Sequence, residues 1–439
     1  MIATIGHSIR LTGATTQQAT ALRQRLTLPN PLYQRRLRLG LSVWGVTPTI
    51  CYLGKDGHTL IVPRGLAREI HPSEQRDRSE WGDRVTYSRG RVTLRPYQTA
   101  AARALVQREQ GIVVAACGAG KTVIACEAIR TAATTTLIVV HTADLAAQWA
   151  EVIERELGWV PVRLGGRGGQ ASGKRSDTSP AITVATIQTL TRLGEADLDR
   201  VLKTGCLIVD EAHHVPASTF DRVVSRSPSR YRWALTATPD RVDGLGPVLG
   251  FLFGDVLSTI SGDDLARTGV LVRPQYRQVR TGRTCDESDY SAIVTALSVD
   301  ERRDEIIVDL ATRATGPTLV LVARVAHAKA LALALGCRSL TGSDTPSDRA
   351  EAIDAIRAGR ERVLVATTVA DEGLDLPCLT TLILGTPSRA RGRLEQRIGR
   401  VCRAYPGKSE AYVYDLVDGH SLLLSQARAR AQAVKEIWP

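Results

Sequence analysis

Two short stretches of the chain carry residue types that could together bind and cleave a phosphate group. The first, AACGAGKT (115–122), follows the apolar run 112–114 and precedes a helical pattern. A turn leading into a helix presents unpaired backbone N–H groups and the positive end of the helix dipole to an anion. The residues and their order therefore predict a loop that binds a nucleotide phosphate.

The residue types in this loop suit that chemistry. Gly118 and Gly120 would let the backbone approach a phosphate, and Lys121 would reach the β- and γ-phosphate oxygens. The Thr122 hydroxyl would bind Mg²⁺. The usual pattern has glycine at the position of Ala115, so an ordinary glycine-rich turn with a solvated lysine is the alternative. The predicted nucleotide-binding residues of the loop are Cys117, Gly118, Ala119, Gly120, Lys121 and Thr122.

The second stretch, CLIVDEAHH (206–214), is an apolar run that ends in two carboxylates. Asp210 would hold the Mg²⁺ shell with Thr122, and Glu211 would orient or deprotonate an attacking water. His213 would link the site to neighbouring loops. An acidic strand end exposed to solvent is the alternative, and the lysine-containing loop earlier in the chain argues against it. The sequence therefore predicts a phosphate-hydrolysing site.

Alternating strand and helix patterns must position these residues. From about residue 90, strands are predicted at 112–116, 136–141, 182–187, 206–212 and 231–238, then at 318–323, 362–368, 380–386 and 410–417. Between them lie helical patterns, one of which repeats Leu145, Trp149, Ile153 and Leu157 every four residues. The alternation predicts an α/β fold with two tandem parallel-sheet domains covered by helices. The phosphate-type loop occurs in the first domain and not in the second.

The first 90 residues differ from the rest in pattern and charge. They carry 12 Arg and one Lys against six Asp or Glu, in a chain of net charge +12. Two strand-like runs flank a turn at 55–57, and the polar stretch 71–84 is typical of a linker. Such a basic segment favours nucleic acid as a partner, and a surface kept basic for solubility is the alternative. We predict domains at 1–88, 89–268 and 269–439, the first a small β-containing accessory domain.

The eight cysteines are scattered and form neither a CxxC pair nor a Cys/His cluster. This spacing argues against a zinc site and a disulfide scaffold, and it favours a reducing compartment. No apolar run reaches transmembrane length, and the first residues lack the apolar core of a signal peptide. We therefore expect a cytoplasmic protein that does not enter a membrane. Nothing in the sequence requires more than a monomer, and partner proteins are compatible with it.

Seven stretches resemble, in order, the motifs of superfamily 2 helicases and translocases over about residues 94–415. The two stretches above resemble motifs I and II. The other five are LRPYQ (94–98), LTATPDR (235–241), LVARVAHAKAL (321–331), VLVATTVADEGLDLP (363–377) and QRIGRVCR (396–403). The resemblance implies two RecA-like domains with ATP and Mg²⁺ in the cleft between them. It also implies that ATP hydrolysis drives movement along a nucleic acid.

The resemblance implies roles for further residues of these motifs. Gln98 would read the adenine edge with support from Arg95. Gly373 and Asp375 would meet the γ-phosphate region and the ribose, and Gln396 would belong to the nucleotide site. Contacts with the nucleic-acid backbone are implied for Thr142, Thr186, Gln188, Arg324 and Thr367. Thr142 and Thr186 could instead cap helices.

Arg400 and Arg403 have a chemical reason beside the resemblance. Phosphoryl transfer needs positive charge delivered to the γ-phosphate in the transition state. The two arginines are three positions apart, so they share one helix face, and they lie in the domain without a phosphate loop. We therefore predict both as catalytic, together with Lys121, Asp210 and Glu211. Surface salt bridging is the alternative.

The combination of CGAGKT, DEAH and QRIGRVCR is similar to the XPB/UvsW-like DNA helicases of phage or bacterial type. RVDGL (241–245) only partly resembles the Arg-Glu-Asp element of that branch, so Arg241 and Asp243 are assigned no strand-separating role. The resemblance implies a 3′→5′ helicase or translocase on single-stranded, forked or branched DNA, serving repair, recombination or replication. An RNA helicase and a duplex-DNA motor subunit of a restriction or defence complex are the alternatives.

Overall fold

The computed structural model describes residues 1–87, 93–165, 180–214, 222–237, 245–284, 287, 289–367, 376–387 and 391–438. The chain folds as two compact units. Unit 1 comprises Met1–Ala115 and Gly120–Thr259, and unit 2 comprises Ala116–Ala119 and Ile260–Pro439. The predicted domain boundaries after residues 88 and 268 stay predictions. Unit 1 contains both the N-terminal region and the first parallel sheet.

The N-terminal region contains a small sheet whose strands alternate buried and accessible residues. Its elements are β1 (Ile2–Ile5), β2 (Ser8–Thr12), α1 (Thr16–Arg25), β3 (Thr27–Pro29), α2 (Pro31–Arg38), β4 (Thr49–Cys51), β5 (Gly54–Asp56), β6 (Thr59–Pro63) and β7 (Glu74–Asp77). Five strands form the sheet in the order β5-β6-β2-β1-β7, and β3 pairs separately with β4. Ala3, Ile5, Ile9 and Leu11 are buried at every second position, as period-two patterning predicts.

This small sheet shares its hydrophobic core with the rest of unit 1. Ile9 and Leu11 belong to one cluster with Phe251 and Phe253. A 3₁₀ turn at Arg64–Arg68 reaches the same region. A Cβ atom at Gly65 would collide with the carbonyl oxygens of Gly250 and Phe251, so the close approach requires glycine. The N-terminal region is therefore integrated with its neighbour through apolar packing.

The stretch 71–84 was predicted as a linker, and this is wrong for much of its length. Residues 74–77 form β7, which pairs in parallel with β1. The Arg230 guanidinium lies 3.8 Å from the centre of the Trp81 ring, and it also bonds to Asp77 at 2.9 Å. Cation–π stacking and an ion pair hold a polar segment in place although its sequence contains few apolar residues.

The second sheet of unit 1 contains the predicted βα series. Its elements are α3 (Pro96–Arg108), β8 (Gln110–Ala115), α4 (Lys121–Ala132), β9 (Thr136–Val140), α5 (Ala143–Leu157), β10 (Val162–Leu164), β11 (Ile182–Thr186), α6 (Ile187–Arg192), α7 (Glu195–Leu202), β12 (Cys206–Val209), β13 (Tyr231–Thr236), α8 (Pro247–Phe253) and β14 (Val256–Ile260). The strand order is β10-β11-β9-β12-β13-β8-β14. All residues of β8, β9, β11 and β12 are buried, which explains their continuous apolar runs.

Unit 2 repeats this architecture. Its elements are α9 (Gly262–Arg267), β15 (Pro274–Arg280), α10 (Tyr290–Leu297), α11 (Glu301–Arg313), β16 (Thr318–Leu321), α12 (Val325–Leu335), β17 (Arg338–Leu340), α13 (Pro346–Arg357), β18 (Val363–Ala366), β19 (Thr381–Leu384), α14 (Arg391–Val401), β20 (Ala411–Val417) and α15 (Ser421–Ile437). Six strands run in parallel in the order β15-β20-β19-β16-β18-β17. The predicted α/β class, with two parallel sheets behind a small N-terminal sheet, is confirmed.

Candidate active site

The predicted phosphate loop joins the buried strand β8 to helix α4. The Ala119 amide donates to the Ala116 carbonyl at 3.1 Å, which turns the chain. Gly120 is the N-cap of α4, with φ at +80°, a conformation that residues with a Cβ rarely adopt. The first backbone N–H groups of α4 therefore begin at this loop, as a phosphate-binding turn requires. Thr122 lies in that first turn.

Lys121 faces the carboxylate pair at the end of β12. Its Nζ lies 3.2 Å from the Glu211 carboxylate, and it donates to the Ala115 carbonyl at 3.2 Å. Only 11% of the Lys121 side chain and 12% of the Glu211 side chain are exposed. Because water screens this pair little, its electrostatic coupling is strong. The structure therefore brings together two residues that the sequence places far apart.

Glu211 is held in an unusual backbone conformation. Its φ is +47°, in the left-handed region that non-glycine residues adopt at a cost of about 1–3 kcal/mol. Strain of this kind recurs at functional sites, where the surrounding structure imposes it. Glu211 lies two positions after the last residue of β12, and its carboxylate and that of Asp210 have different partners. The Glu211 carboxylate pairs with Lys121, and the Asp210 carboxylate accepts a hydrogen bond from Trp149 of α5.

Asp210 is buried at the end of β12 and receives a hydrogen bond from α5. Trp149 Nε1 donates to Asp210 Oδ2 at 2.7 Å, and the Glu211 amide donates to Oδ1 at 2.9 Å. Burial, and next the Glu211 charge, raise the pKa of Asp210 to about 6, while Lys121 and the Trp149 bond lower it. A buried carboxylate near one ammonium group is a fitting ligand for a further cation. Asp210 and Thr122 supply the hard oxygen donors that Mg²⁺ prefers.

His213 joins the ends of two neighbouring strands. Its Nδ1 lies 2.8 Å from Thr236 Oγ1, at the end of β13, and 3.4 Å from Glu211 Oε2. Thr236 belongs to the stretch that resembles motif III. The sequence predicted that His213 would link the site to neighbouring loops; the structure shows a contact with the last residue of strand β13, and the linking role stays a prediction. Arg241 and Asp243, beyond Thr236, lie outside the described residues.

Gln98 lies beside the phosphate loop, at the start of α3. Its side-chain oxygen accepts from the Arg95 amide at 2.9 Å, which closes the first turn of α3. A Cβ at Gly120 would come within 2.5 Å of Gln98 Nε2, so the amide contacts the loop closely. Gln98 is buried and Arg95 is exposed. Their predicted roles at adenine stay predictions, although Gln98 occupies the expected neighbourhood.

The residues predicted to contact a nucleic-acid backbone in unit 1 also have structural roles. Thr142 caps α5 by accepting from Leu145 N at 3.2 Å. Thr186 caps α6 by accepting from Thr189 N at 3.3 Å. Gln188 is exposed, and its Nε2 donates to the His141 carbonyl at 3.0 Å. Their predicted contacts with nucleic acid stay predictions.

The site residues predicted in unit 2 lie at the ends of its strands and on α14. Arg324 Nη2 bonds to Ser291 and Thr295 of α10 within 3.1 Å. Thr367 is buried directly after β18. Gln396 and Arg400 are half-buried on α14, and Arg403 is half-buried just beyond it, so the prediction that both arginines share one helix face is wrong for Arg403. Gly373 and Asp375 lie outside the described residues.

Sequence reasoning missed two residues that position these groups. Trp149 matched an apolar helix face, and the pattern gave no sign that its indole N–H bonds to Asp210. Lys408 follows a Pro-Gly turn and carries no motif. Its ammonium group donates to the carbonyl oxygens of Val401, Arg403 and Pro377, at 2.5, 2.9 and 3.1 Å. It therefore fixes the chain directly after α14.

Two family models match the chain. Residues 91–241 match "Type III restriction enzyme, res subunit", and residues 301–405 match "Helicase conserved C-terminal domain". The first match contains the phosphate loop and the carboxylate pair, and the second contains Arg400 and Arg403. The two sheets described above are therefore the two RecA-like domains that the sequence predicted. Within the described ranges, no helix is both long and apolar enough to cross a membrane.

Relatives of the chain are helicases. It is 30% identical to the DNA 3'-5' helicase XPB of Mycobacterium tuberculosis, over 78% of this chain and 64% of that protein. It is also 30% identical to putative helicase 22 of Sulfolobus islandicus filamentous virus, over 58% of this chain and 50% of that protein. The chain thus spans about half to two thirds of the length of these curated relatives.

A solved structure shares the fold. The ATP-dependent Type ISP restriction-modification enzyme LlaBIII, bound to DNA, superposes with a TM-score of 0.61 at 14% sequence identity. The match covers 79% of this chain and 30% of that one. At this identity the likeness concerns the fold alone.

Proposed function

We propose that the chain is an ATP-dependent DNA helicase or translocase of superfamily 2, because a restriction-enzyme res-subunit model and a helicase C-terminal model match it and XPB helicases are among its relatives. The observation that carries the proposal is the buried Lys121–Glu211 pair, 3.2 Å apart, beside Asp210. A lysine at a helix N-terminus and two carboxylates at the end of another strand of the same sheet are the groups that phosphoryl transfer to water requires.

The described contacts suggest how unit 1 would respond to ATP. The N-terminus of α4 and the Lys121 ammonium would bind the β- and γ-phosphates, and Asp210 and Thr122 would hold Mg²⁺. Bound Mg²⁺ neutralises phosphate charge during transfer. When Lys121 turns to a phosphate, its ion pair with Glu211 would break, and the Glu211 carboxylate would become more available to accept a proton from water. Until a nucleotide binds, the ion pair with Lys121 would thus make Glu211 a weaker base.

The arginines of unit 2 complete the proposed machinery. Arg400 and Arg403 would supply positive charge to the transferred phosphoryl group. Lys408 binds the carbonyl groups of Val401 and Arg403 and thereby fixes the backbone from which the Arg403 side chain extends. We propose ATP as the nucleotide, with Gln98 and Arg95 at the adenine and with Gly373, Asp375 and Gln396 as further contacts.

We propose DNA as the track, with 3′→5′ movement, because the XPB relatives are named for that direction. Strand displacement from partial duplexes tests this directly. Substrates with a 3′ single-stranded overhang should be unwound, and matched substrates with a 5′ overhang or an RNA tracking strand should not. Unwinding that requires an RNA tracking strand would replace DNA by RNA in the proposal, and unwinding from the 5′ overhang would reverse the direction.

A second candidate function, movement along duplex DNA without strand separation, is favoured by the match to a restriction-enzyme subunit model. Displacement of a triplex-forming strand measures this movement. A motor that displaces the third strand but never separates the duplex is a translocase of this kind. Separation of the duplex strands under the same conditions would instead support the helicase.

A further inference from the structure

Residues 30–48 form a separate lobe on the N-terminal region. Strands β3 and β4 make its antiparallel neck, where Thr27 pairs with Cys51 and Pro29 with Thr49. At the top of the neck, the Asn30 amide donates to the Pro48 carbonyl at 2.9 Å. The Asn30 side chain donates to the Thr47 carbonyl at 2.8 Å. These bonds close the lobe on itself.

Bonds inside the lobe give it a defined shape. Helix α2 is capped by Asn30, whose side-chain oxygen accepts from Leu32 N at 3.0 Å. After the helix, Leu41 N donates to the Arg36 carbonyl at 2.9 Å, and Arg36 Nη1 donates to the Ser42 carbonyl at 3.3 Å. The chain is thus folded back on α2 by hydrogen bonds. Apolar packing contributes little to this shape.

The lobe exposes apolar surface that nothing else in its unit covers. Every residue of 30–48, all of which the structure describes, is exposed or half-buried. Trp44 is 90% exposed, more than any other large apolar side chain in the described ranges. Leu37, Leu39 and Leu41 are each more than half exposed. Several large apolar side chains exposed within one short segment are typical of a binding site for a partner.

The charge of the lobe identifies the kind of partner. Residues 30–48 contain Arg35, Arg36 and Arg38 and no Asp or Glu. Arg35 and Arg38 are exposed on α2, close in sequence to the exposed leucines and Trp44. A purely apolar partner would leave three positive charges unmatched. A polyanion that also presents flat apolar faces would match both features, and unstacked nucleic-acid bases have such faces.

We propose that this lobe binds DNA at the junction between duplex and single strand. Arg35 and Arg38 would bind backbone phosphates, and the Trp44 indole would stack on a base at the first unpaired position. A base inside a duplex is already stacked on both sides, so an exposed indole favours a place where the duplex ends. The inference rests on the proposed function for its choice of DNA, and it assigns fork recognition to a named surface.

Two substitutions at Trp44 separate base stacking from general apolar contact. Trp44→Phe keeps an aromatic face, and Trp44→Leu keeps apolar surface without one. Fluorescence anisotropy would measure Kd for a labelled fork and for a single strand of the same length. We expect Trp44→Leu to weaken fork binding about tenfold, in the range of one lost base stack. Trp44→Phe should retain most of the affinity, and neither change should move single-strand binding more than about twofold, because the motor itself would hold that strand.

Salt dependence tests the arginines. The double variant Arg35→Gln/Arg38→Gln should lower the slope of log Kd against log salt for the fork by about 2, or roughly one per phosphate contact. Arg313→Gln, an arginine with 79% of its side chain exposed in unit 2, is the matched control and should leave the slope unchanged. Leu333 is 85% exposed in unit 2, so Leu333→Ala is the matched control for the loss of apolar surface in Trp44→Leu and should leave fork binding unchanged.

The outcomes distinguish this inference from the proposed function. If the unchanged protein binds a fork and Trp44→Leu binds it equally well, the lobe does not recognise junctions, and the proposed function stands. If Trp44→Phe and Trp44→Leu weaken fork binding equally, stacking is refuted. If the unchanged protein binds no DNA and DNA does not stimulate its ATPase, both the inference and the proposed function fail.

Discussion

At the scale of single residues, the structure assigns Trp149 a task that its position in an apolar helix face did not suggest. Trp149 is buried, and its indole N–H donates to Asp210 at 2.7 Å. The bond occupies one carboxylate oxygen and fixes the direction of the other. Trp149 is therefore a positioning residue for the proposed Mg²⁺ ligand.

We predict that Trp149→Phe weakens metal binding more than it weakens folding. A smaller aromatic ring replaces the indole and the N–H donor is lost, so the free energy of unfolding should fall by about 2–3 kcal/mol. Because second-shell partners are worth about 10–100-fold in metal affinity, Mn²⁺ affinity in the presence of ADP should fall at least tenfold. Electron paramagnetic resonance of Mn²⁺ measures this without turnover.

Trp233→Phe is the matched control for that substitution. Trp233 is also fully buried in unit 1, but its indole donates to the Leu105 carbonyl at 3.1 Å, away from the carboxylates. The Trp233→Phe variant should lose about as much stability as Trp149→Phe and should keep its Mn²⁺ affinity. Equal loss of metal affinity in both variants would show that Trp149 acts only through packing.

The sequence predicted the residues whose function follows from their type and order. Lys121, Asp210 and Glu211 were predicted because a phosphate loop and a strand-end carboxylate pair are specific patterns; the structure places Lys121 beside Glu211, and the catalytic roles stay predictions. Trp149 could not be identified because its hydrogen bond joins residues 61 apart, and apolar periodicity explains it equally well. Lys408 has no periodic or motif signal, and its role depends on where three carbonyl groups lie.

At the scale of elements, the loop between β8 and α4 depends on glycine at position 120. Gly120 has a φ of +80°, and a Cβ there would approach Gln98 Nε2 to 2.5 Å. We predict that Gly120→Ala lowers ATP affinity at least tenfold, because either the loop or Gln98 must shift at the phosphate site. Equilibrium binding of a fluorescent ATP analogue measures the change.

Gly336→Ala is the control for backbone strain alone. Gly336 ends α12 with a φ of +60°, and nothing lies within 4 Å of the added Cβ. Both variants should lose about 1 kcal/mol of stability, and Gly336→Ala should bind ATP normally. Adding Gln98→Ala to Gly120→Ala should relieve the collision in part. Unchanged ATP affinity in Gly120→Ala would show that the loop does not bind phosphate.

Unit 2 contains a buried ion pair that no motif predicted. Arg303 on α11 and Asp418 after β20 are fully buried, 3.1 Å apart, and Thr281 Oγ1 also donates to Asp418. Removing one partner of such a pair leaves an uncompensated buried charge and costs about 3–5 kcal/mol. We predict this loss for Asp418→Asn, measured by urea unfolding of the whole chain with a probe in unit 2.

The exposed pair Arg313–Asp309 provides the comparison. Its arginine side chain is 79% exposed, so Asp309→Asn should change stability by less than about 1 kcal/mol. The double variant Arg303→Met/Asp418→Leu should recover much of the stability lost in Asp418→Asn, because apolar residues can replace a buried pair. A stability loss below 1 kcal/mol in Asp418→Asn would contradict this account of the pair.

The elements themselves were largely predictable, and their exceptions have physical causes. Parallel strands such as β9 and β12 are buried on both faces, so their apolar runs are continuous and easy to recognise. The stretch 71–84 was mistaken for a linker because its order depends on pairing with β1 and on Arg230 far along the chain. Contacts between residues that are far apart in the chain produce no local pattern in the sequence.

At the scale of the whole molecule, the net charge and the fold both favour nucleic acid as the partner. The net charge of +12 is concentrated in the N-terminal region, which packs on the first RecA-like domain and carries the lobe 30–48. A basic accessory surface that packs on the first RecA-like domain would hold DNA close to that domain.

Steady-state ATPase activity with no nucleic acid, single-stranded DNA, forked DNA and RNA, across a salt series, tests the central claim most directly. We predict that DNA raises turnover at least tenfold, that RNA does not, and that salt weakens the stimulation because counterions compete for the phosphates. Glu211→Gln should lower turnover at least about 100-fold, as loss of a general base does, while ATP still binds. Glu151→Gln, an exposed carboxylate on α5, should behave as the unchanged chain. Turnover that no DNA stimulates, or that Glu211→Gln leaves intact, would contradict the account.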